Sequence, residues 1–211
     1  MPTKFDLGDE SLDVRAKPGK DMQLTTFKDS RDADRVRQTM PGTLLSMAFT
    51  IWFYAMPMHF GWAVAAGLVL SIFIHECGHA IAARRYGLPY MGMRFSPLIG
   101  GVVFHQRGNT TVTENAFIGI MGPVFGTLVA ITCATIYHFT GDFFWLHVAQ
   151  INFVMNAANL LIPAPPLDGH WLAAVFSKRS RATRKQKLKW ALAWAGLGLF
   201  LLLGPVLLRF L

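Results

Sequence analysis

One apolar stretch, Gly61 to Ala83, constrains the fold of this chain more than any other part of its sequence. It is long enough to cross a membrane as a helix, for which about 20 predominantly apolar residues are needed. The stretch nevertheless contains His75, Glu76 and His79. Ionisable side chains inside an apolar span are costly and usually mark a functional site with a partner. The sequence therefore predicts a membrane helix that carries a polar site.

The spacing of these three side chains is typical of a zinc site. In a helix, His75 and His79 lie four residues apart on one face, so both imidazoles reach one metal ion, and Glu76 reaches a water bound to it. An accidental match to the His-Glu-x-x-His pattern is the alternative, because short motifs carry a real risk of false positives. Cys77 points away from the face of the histidines and is not expected to be a ligand.

The composition indicates an all-α polytopic membrane protein, because 53% of the residues are hydrophobic and only 15% are charged. The formal net charge of +8 does not indicate nucleic acid. Residues 1–40 contain eight basic and eight acidic side chains, whereas residues 178–189 contain seven basic and no acidic ones. The excess positive charge therefore flanks a predicted membrane span, and no nucleic-acid partner is expected.

About five transmembrane helices and one small interfacial β-hairpin are predicted. Residues 1–41 form a polar tail, expected to be flexible and cytosolic, to which a regulatory partner could bind; residues 42–211 form the membrane domain. The hairpin is expected at about 89–106, where β-formers bracket a turn, with a plain interfacial loop as the alternative. The helices are expected to span residues 43–59, 61–84, 116–138, 143–163 and 190–210.

Charge placement predicts which side of the membrane the site faces. With a cytosolic N-terminus, both Arg84 and Arg85 and the basic residues 178–189 lie on the cytosolic side, as the positive-inside bias favours. The second and fourth spans then end at that same side. The site is therefore expected towards the cytosol.

Asp168 is the expected third metal ligand. It follows the helix-breaking run Pro163 to Pro166 at the inner end of the fourth span, on the same membrane side as His75 and His79. Two histidines and one carboxylate leave a fourth position for water, which is the pattern of a catalytic zinc site. The alternative role for Asp168 is to cap a helix that begins after it.

Over roughly Phe49 to Phe176 the chain resembles the site-2 protease family of intramembrane zinc metalloproteases. His75 to His79 matches the family's zinc-binding motif in full, and Pro163 to Gly169 resembles its proline-rich run ending in Leu-Asp-Gly. The family's Gly-Pro-x-x-Asn appears here as Gly122-Pro123-Val124-Phe125-Gly126, without its asparagine. The family asparagine before the proline-rich run falls one position early, at Asn159.

The resemblance implies a zinc metalloprotease that hydrolyses a peptide bond within or near a transmembrane segment of a membrane-protein substrate, as in regulated intramembrane proteolysis. The protein would lie in the lipid bilayer of a prokaryotic cell membrane and bind one Zn²⁺ per chain. A membrane zinc-binding protein without hydrolytic activity, such as a metal carrier of the same fold, is the alternative. The presence of Glu76 argues against it, because a carrier needs no general base beside its first ligand.

Glu76 is thus the expected catalytic residue, with His75, His79 and Asp168 as zinc ligands. The candidates for stabilising the oxyanion or positioning the substrate are Asn159, Asn156 and His170. The family's hairpin is thought to engage substrate as an added strand. Substrate-strand docking is therefore expected at Tyr90, Met91, Gly92, Met93, Arg94, Phe95, Gly101, Val102, Val103 and Phe104.

Overall fold

The fold is mainly helical, with one small β-hairpin, as predicted. The structure, a computed structural model, describes residues 39–98, 100–105 and 110–208. Most of the predicted tail, residues 1–38, lies outside the described residues, as does the end of the last predicted span. In chain order the elements are α1 (Met40–Ala55), α2 (Trp62–Arg85), β1 (Tyr90–Ser96), β2 (Gly100–His105), α3 (Val112–Thr140), α4 (Phe143–Leu161), α5 (Gly169–Val175) and α6 (Arg184–Leu207).

Three of the described helices, α2, α3 and α6, are long and apolar enough to cross a membrane. Helices also form at the other two predicted spans, but neither meets the same criteria of length and composition. α1 has 16 residues, fewer than the roughly 20 that a span needs. α4 has 19 residues, and Asn152, Asn156 and Asn159 lower its hydropathy.

Two helices begin earlier than their apolar residues suggest, because each starts with a capping box. Thr111 and Glu114 exchange side-chain and backbone hydrogen bonds at the start of α3, and Thr183 and Gln186 do the same at the start of α6. α6 therefore begins inside the basic stretch 178–189, ahead of residue 190, where the last span was predicted to start. Its first residues are helical and exposed.

Apolar side chains are buried in two main clusters, one of which includes α3 and the other α2. The larger cluster joins α3, α4, α5 and α6 and includes Ala130, Phe153, Leu172 and Leu201. The second joins α2 to the hairpin and α1 and includes Val69, Ile72, Met93 and Phe95. The functional residues lie between the two clusters, so helices hold them on one side and the hairpin on the other.

The hairpin is bonded to α1 along one edge. β1 and β2 are antiparallel, with Met93 opposite Val103 and Phe95 opposite Gly101. On the outer edge of β1, the Met93 carbonyl accepts a hydrogen bond of 2.8 Å from Thr43 Oγ1. The Phe95 N–H donates to Ser46 Oγ at 3.1 Å. Side-chain hydroxyls of α1 thus satisfy backbone groups that an edge strand would otherwise leave unpaired.

Candidate metal and catalytic site

His75 and His79 of α2 point their Nε2 atoms at the carboxylate of Asp168. The Nε2 atom of His75 lies 3.1 Å from Asp168 Oδ2, and that of His79 lies 3.2 Å from Oδ1. The two Nε2 atoms are themselves 3.1 Å apart. One ligand atom from each of the three residues lies within 4.8 Å of the others. The structure therefore brings together the three side chains that the sequence suggested as metal ligands.

The donor set fits a metal ion because the other nitrogen of each imidazole already has an acceptor. His75 Nδ1 lies 2.8 Å from Asn156 Oδ1, and His79 Nδ1 lies 2.8 Å from the carbonyl oxygen of Ile118. These acceptors place the proton of a neutral ring on Nδ1 and leave a lone pair on Nε2. Two lone pairs and a carboxylate then converge in a buried space, which is the chemistry of a site for Zn²⁺.

The loop after α4 carries Asp168 to the histidines. α4 ends at Leu161, ahead of the proline-rich run, and Gly169 packs so closely on the Leu160 and Ile162 carbonyls that an added Cβ would overlap them. Asp168 stands at the N-cap of α5, but its side chain makes no capping hydrogen bond. Its oxygens lie against the two imidazoles, so the capping alternative does not describe this carboxylate.

Asn159 lies directly beside the ligand atoms. Its Nδ2 donates to Asp168 Oδ2 at 2.5 Å and lies 3.1 Å from His75 Nε2. Its Oδ1 accepts from the backbone N–H of Asp168 at 3.2 Å. The side chain therefore both steadies the Asp168 loop and presents an amide donor at the centre of the cluster.

Glu76 is buried on the side of the cluster that faces β2. A Cβ added to Gly101 would lie 2.5 Å from Glu76 Cγ and 2.8 Å from Oε1, so a side chain at this position of the strand would meet the carboxyl group. The backbone of Val103 lies within hydrogen-bonding range of the same carboxyl group. Glu76 is not among the converging ligand atoms, which leaves its carboxylate available as a base.

A cavity of about 320 Å³ opens onto these residues. Both histidines, Glu76 and Asp168 line it, together with residues of β2 and of the turn before it. The rest of the lining includes Tyr54, Ile72, Ile118, Gly119, Met155, Asn156, Asn159, Leu167 and Trp171. The space is large enough for a short stretch of peptide beside the ligand atoms.

Not every residue expected at the reaction centre lies there. Asn156 contacts His75 through Nδ1, on the side of the ring away from the ligand atoms, so its amide is not where an oxyanion donor would stand. His170 is outside the residues that line the cavity, and within the described part of the chain its Nε2 is buried without a partner. Asn159 alone of these three candidates has a donor beside the ligand atoms.

The structure also divides the predicted strand-docking residues between two surfaces. Gly101, Val102 and Val103 of β2 line the cavity. The six expected docking residues of β1 are not among the described residues that line the cavity. The Met93 and Phe95 side chains are instead buried in the cluster with α1 and α2. β1 therefore supports the hairpin, whereas β2 forms the wall of the cavity.

Sequence reasoning missed the contribution of α3. A Cβ on Gly122 would overlap the Nε2 atoms of both His75 and His79, so α3 passes directly over the ligand atoms. The same helix supplies the Ile118 carbonyl to His79. The spacing of Gly119, Gly122 and Gly126 does indicate a close helix approach, but it does not say which residues lie opposite.

Comparison with known proteins agrees with this arrangement. The model of Peptidase family M50 matches residues 63–143, which contain nearly all of α2, the hairpin and α3. Zinc metalloprotease MJ0392 of Methanocaldococcus jannaschii is 30% identical over 134 residues. The chain is therefore similar to peptidase family M50 over residues 63–143. The resemblance to the site-2 protease family is thereby confirmed, and three of the described helices have the length and composition of membrane spans.

The matches to individual relatives differ in extent. The alignment with MJ0392 covers 60% of this chain and 38% of that protein, so the chain spans well under half the length of the relative. A solved structure, the site-2 protease from Methanocaldococcus jannaschii, is 26% identical, with 78% of this chain and 80% of that chain covered and a TM-score of 0.49.

Proposed function

We propose that this protein is an intramembrane zinc metalloprotease that hydrolyses a peptide bond within or near a transmembrane segment of a membrane-protein substrate. The observation that carries the proposal is the convergence of His75 Nε2, His79 Nε2 and the Asp168 carboxylate beside the buried Glu76. All four side chains line one cavity. One Zn²⁺ per chain is the cofactor that this donor set favours.

His75, His79 and Asp168 would hold the ion, with their positions maintained by the hydrogen bonds of the two Nδ1 atoms and of Asn159. A bound Zn²⁺ supplies a Lewis acid that polarises a carbonyl group and makes water acidic near neutral pH. Three protein ligands leave a position open for this purpose, whereas a structural zinc site has four. The helices exclude bulk water from the site because both histidines and Asp168 are largely buried.

Glu76 acts as the general base and then as the general acid. Its carboxylate takes a proton from the attacking water and gives it to the amine that leaves when the peptide bond breaks. Burial beside the histidines keeps the group close to the reacting atoms. Asn159, whose amide nitrogen lies beside His75 Nε2, donates a hydrogen bond to the developing oxyanion.

The substrate binds as an extended strand along β2. In an antiparallel pair, residues that direct their backbone groups away from the partner strand stand opposite residues that do the same. Met93 and Phe95 direct theirs outwards, to Thr43 and Ser46. Their opposite residues on β2 therefore direct their N–H and C=O groups to the other edge, which borders the cavity.

Those two residues are Gly101 and Val103. A peptide paired with the backbone groups of Gly101, and with the Val103 backbone in place of the Glu76 carboxyl group, would lie extended next to Glu76. This is the β-augmentation mode of peptide recognition. A transmembrane helix must unwind to bind in this way, because its carbonyl groups are otherwise hydrogen-bonded within the helix. Helix-breaking residues in the substrate would lower the cost of unwinding.

The orientation in the membrane follows from charge. The positive-inside bias favours a cytosolic position for Arg84 and Arg85 at the end of α2 and for the basic residues 178–189 around the start of α6. His79 and Asp168 then lie towards the cytosol, and cleavage would release a substrate fragment to that side. The polar N-terminal residues would be cytosolic as well, where a regulatory partner could bind them.

Replacement of Glu76 by glutamine tests the proposal. The Glu76→Gln variant keeps all three ligands, so the purified protein should contain as much zinc as the wild type while cleavage is lost. Membrane proteomes of cells that produce each form should differ in a single-span protein that accumulates uncut with the variant. That protein then serves as the substrate for kinetic assays.

Two results would overturn the proposal in different ways. Unchanged cleavage by Glu76→Gln would exclude this carboxylate as the base. Bound zinc without any cleavage by the wild type would instead favour the carrier or non-catalytic zinc-binding protein.

A further inference from the structure

Asn156 of α4 contacts the back of His75 and is itself almost fully buried, with 1% of its surface exposed. Its Oδ1 lies 2.8 Å from His75 Nδ1, and its Nδ2 donates to the carbonyl oxygen of Asn152 at 2.7 Å. The second hydrogen bond sets the orientation of the amide, because a carbonyl oxygen accepts only from Nδ2. The oxygen of Asn156 must therefore face His75.

The space for this amide is provided by Gly126 of α3. A Cβ at residue 126 would overlap the Oδ1 and Nδ2 atoms of Asn156. Residue 126 is also the position at which the pattern Gly-Pro-x-x-Asn would have its asparagine. In this chain a side-chain amide does occupy the space beside residue 126, but it comes from the neighbouring helix.

We propose that Asn156 is the positioning residue of the metal site and that Gly126 makes room for it. By accepting from Nδ1, Asn156 holds the imidazole of His75 in the form and orientation that direct the Nε2 lone pair to the ion. It acts through His75 and does not touch substrate. The inference rests on the proposed function in one respect, that His75 is a metal ligand.

Cobalt titration of the metal-free, detergent-purified full chain tests the inference without any substrate. Co²⁺ serves as the probe because its binding to nitrogen and oxygen ligands is visible in its absorption spectrum. In Asn156→Leu, which removes the acceptor and approximately keeps the volume, Co²⁺ affinity should fall about 10–100-fold, as for other partners of ligating histidines.

Asn152→Leu is the matched control. Asn152 is fully buried one turn away on α4, and its side chain bonds to Ser71 Oγ and the Val148 carbonyl but not to a histidine. The same substitution there should destabilise the fold yet leave Co²⁺ affinity unchanged. Equal losses of affinity in the two variants would overturn the inference, since both would then reflect loosened packing.

Asn156→Asp gives a second measurement that does not depend on the leucine variant folding. Aspartate keeps an acceptor for His75 Nδ1, so its Co²⁺ affinity should stay close to that of the wild type; a loss of about 10-fold or more, as expected when the acceptor is removed, would overturn the inference. An exchange of residues is the complementary test. Gly126→Asn combined with Asn156→Gly should bind Co²⁺ more tightly than Asn156→Gly alone, and equal affinity would contradict the role of Gly126.

The outcomes separate this inference from the proposed function. A wild-type chain that binds no Co²⁺ would contradict the metal site itself. A wild-type chain that binds Co²⁺, together with an Asn156→Leu variant of equal affinity, would overturn only the role of Asn156.

Discussion

The helix wall of the cavity, formed by α2, α3 and α4, differs from the strand wall, formed by β2. The helix wall carries the histidines, and a hydrogen bond holds each of them in place: Asn156 Oδ1 accepts from His75, and the Ile118 carbonyl accepts from His79. Gly122 lets α3 approach the ligand atoms. The strand wall lines the cavity with Gly100, Gly101, Val102 and Val103, and Gly101 lies against Glu76. One wall therefore fixes a metal ion and the other leaves room for a second chain.

The two walls also differ in how they are anchored. Glycines allow α2 and α3 to pack closely, and Asn156 links α4 to His75 within the helix wall. The hairpin, in contrast, is bonded through its far edge to Thr43 and Ser46 of α1. This difference suggests that substitutions beside the histidines in the helix wall change metal binding, whereas substitutions in the strand wall change catalysis and substrate binding and leave the metal bound.

The largest effect is expected from Gly122→Ala in the helix wall. The new methyl group would overlap the Nε2 atoms of both histidines, so zinc content and cleavage should both be lost, with an overpacking cost of about 1–3 kcal/mol in the free energy of unfolding. Gly196→Ala is the matched control, because nothing lies within 4 Å of an added Cβ there. Metal analysis of the purified variants checks the prediction; full zinc occupancy in Gly122→Ala would contradict it.

The same substitution in the strand wall, Gly101→Ala, should separate the two walls. Its methyl group would meet Glu76 and displace the base or the strand, and its three nearest atoms all belong to Glu76 and not to a metal ligand. Zinc should remain bound while kcat falls by about 100-fold, the size of effect that a misplacement of 1 Å can cause. If zinc is lost from Gly101→Ala, the division between the walls does not hold.

The smallest effect is expected from Ser46→Ala in α1, which leaves the Phe95 N–H without its partner. A lost hydrogen bond of this kind costs about 1 kcal/mol, equivalent to about a fivefold change in an equilibrium constant. The substitution should raise KM by a similar factor through a less firmly held hairpin, with zinc content unchanged. Thr132→Ala is the control, because that hydroxyl is exposed and bonds only within its own helix; an equal change in KM there would exclude a specific role for the α1 contact.

Local geometry explains how much of this site could be predicted from sequence. His75, Glu76 and His79 belong to one helix, so their spacing alone predicts their relation. The prediction of Asp168 required an argument from membrane topology, because this residue is distant from the histidines in sequence and only the folding of the chain brings it close to them. Asn156 as the partner of His75 Nδ1 could not be predicted, since the contact depends on how α4 is rotated against α2.

The fold shows the same limit. The apolar stretches predicted where helices occur. The last span was predicted to start at residue 190, after the run of basic residues, but α6 begins at Arg184 because Thr183 and Gln186 form a capping box there. The hairpin was predicted from its β-formers and turn. Its attachment to α1 was not, because Thr43 and Ser46 carry no local signal that they bond a distant strand.

Zinc content of Asp168→Ala tests the central claim most directly, because this residue completes the metal site from outside α2. Asp142→Ala provides the control: Asp142 caps α4 at 2.9 Å from the Phe144 N–H, and its loss should cost about 1 kcal/mol of stability without affecting the metal. The account predicts that purified Asp168→Ala lacks stoichiometric zinc while Asp142→Ala retains one ion per chain. Full zinc occupancy in Asp168→Ala would contradict it.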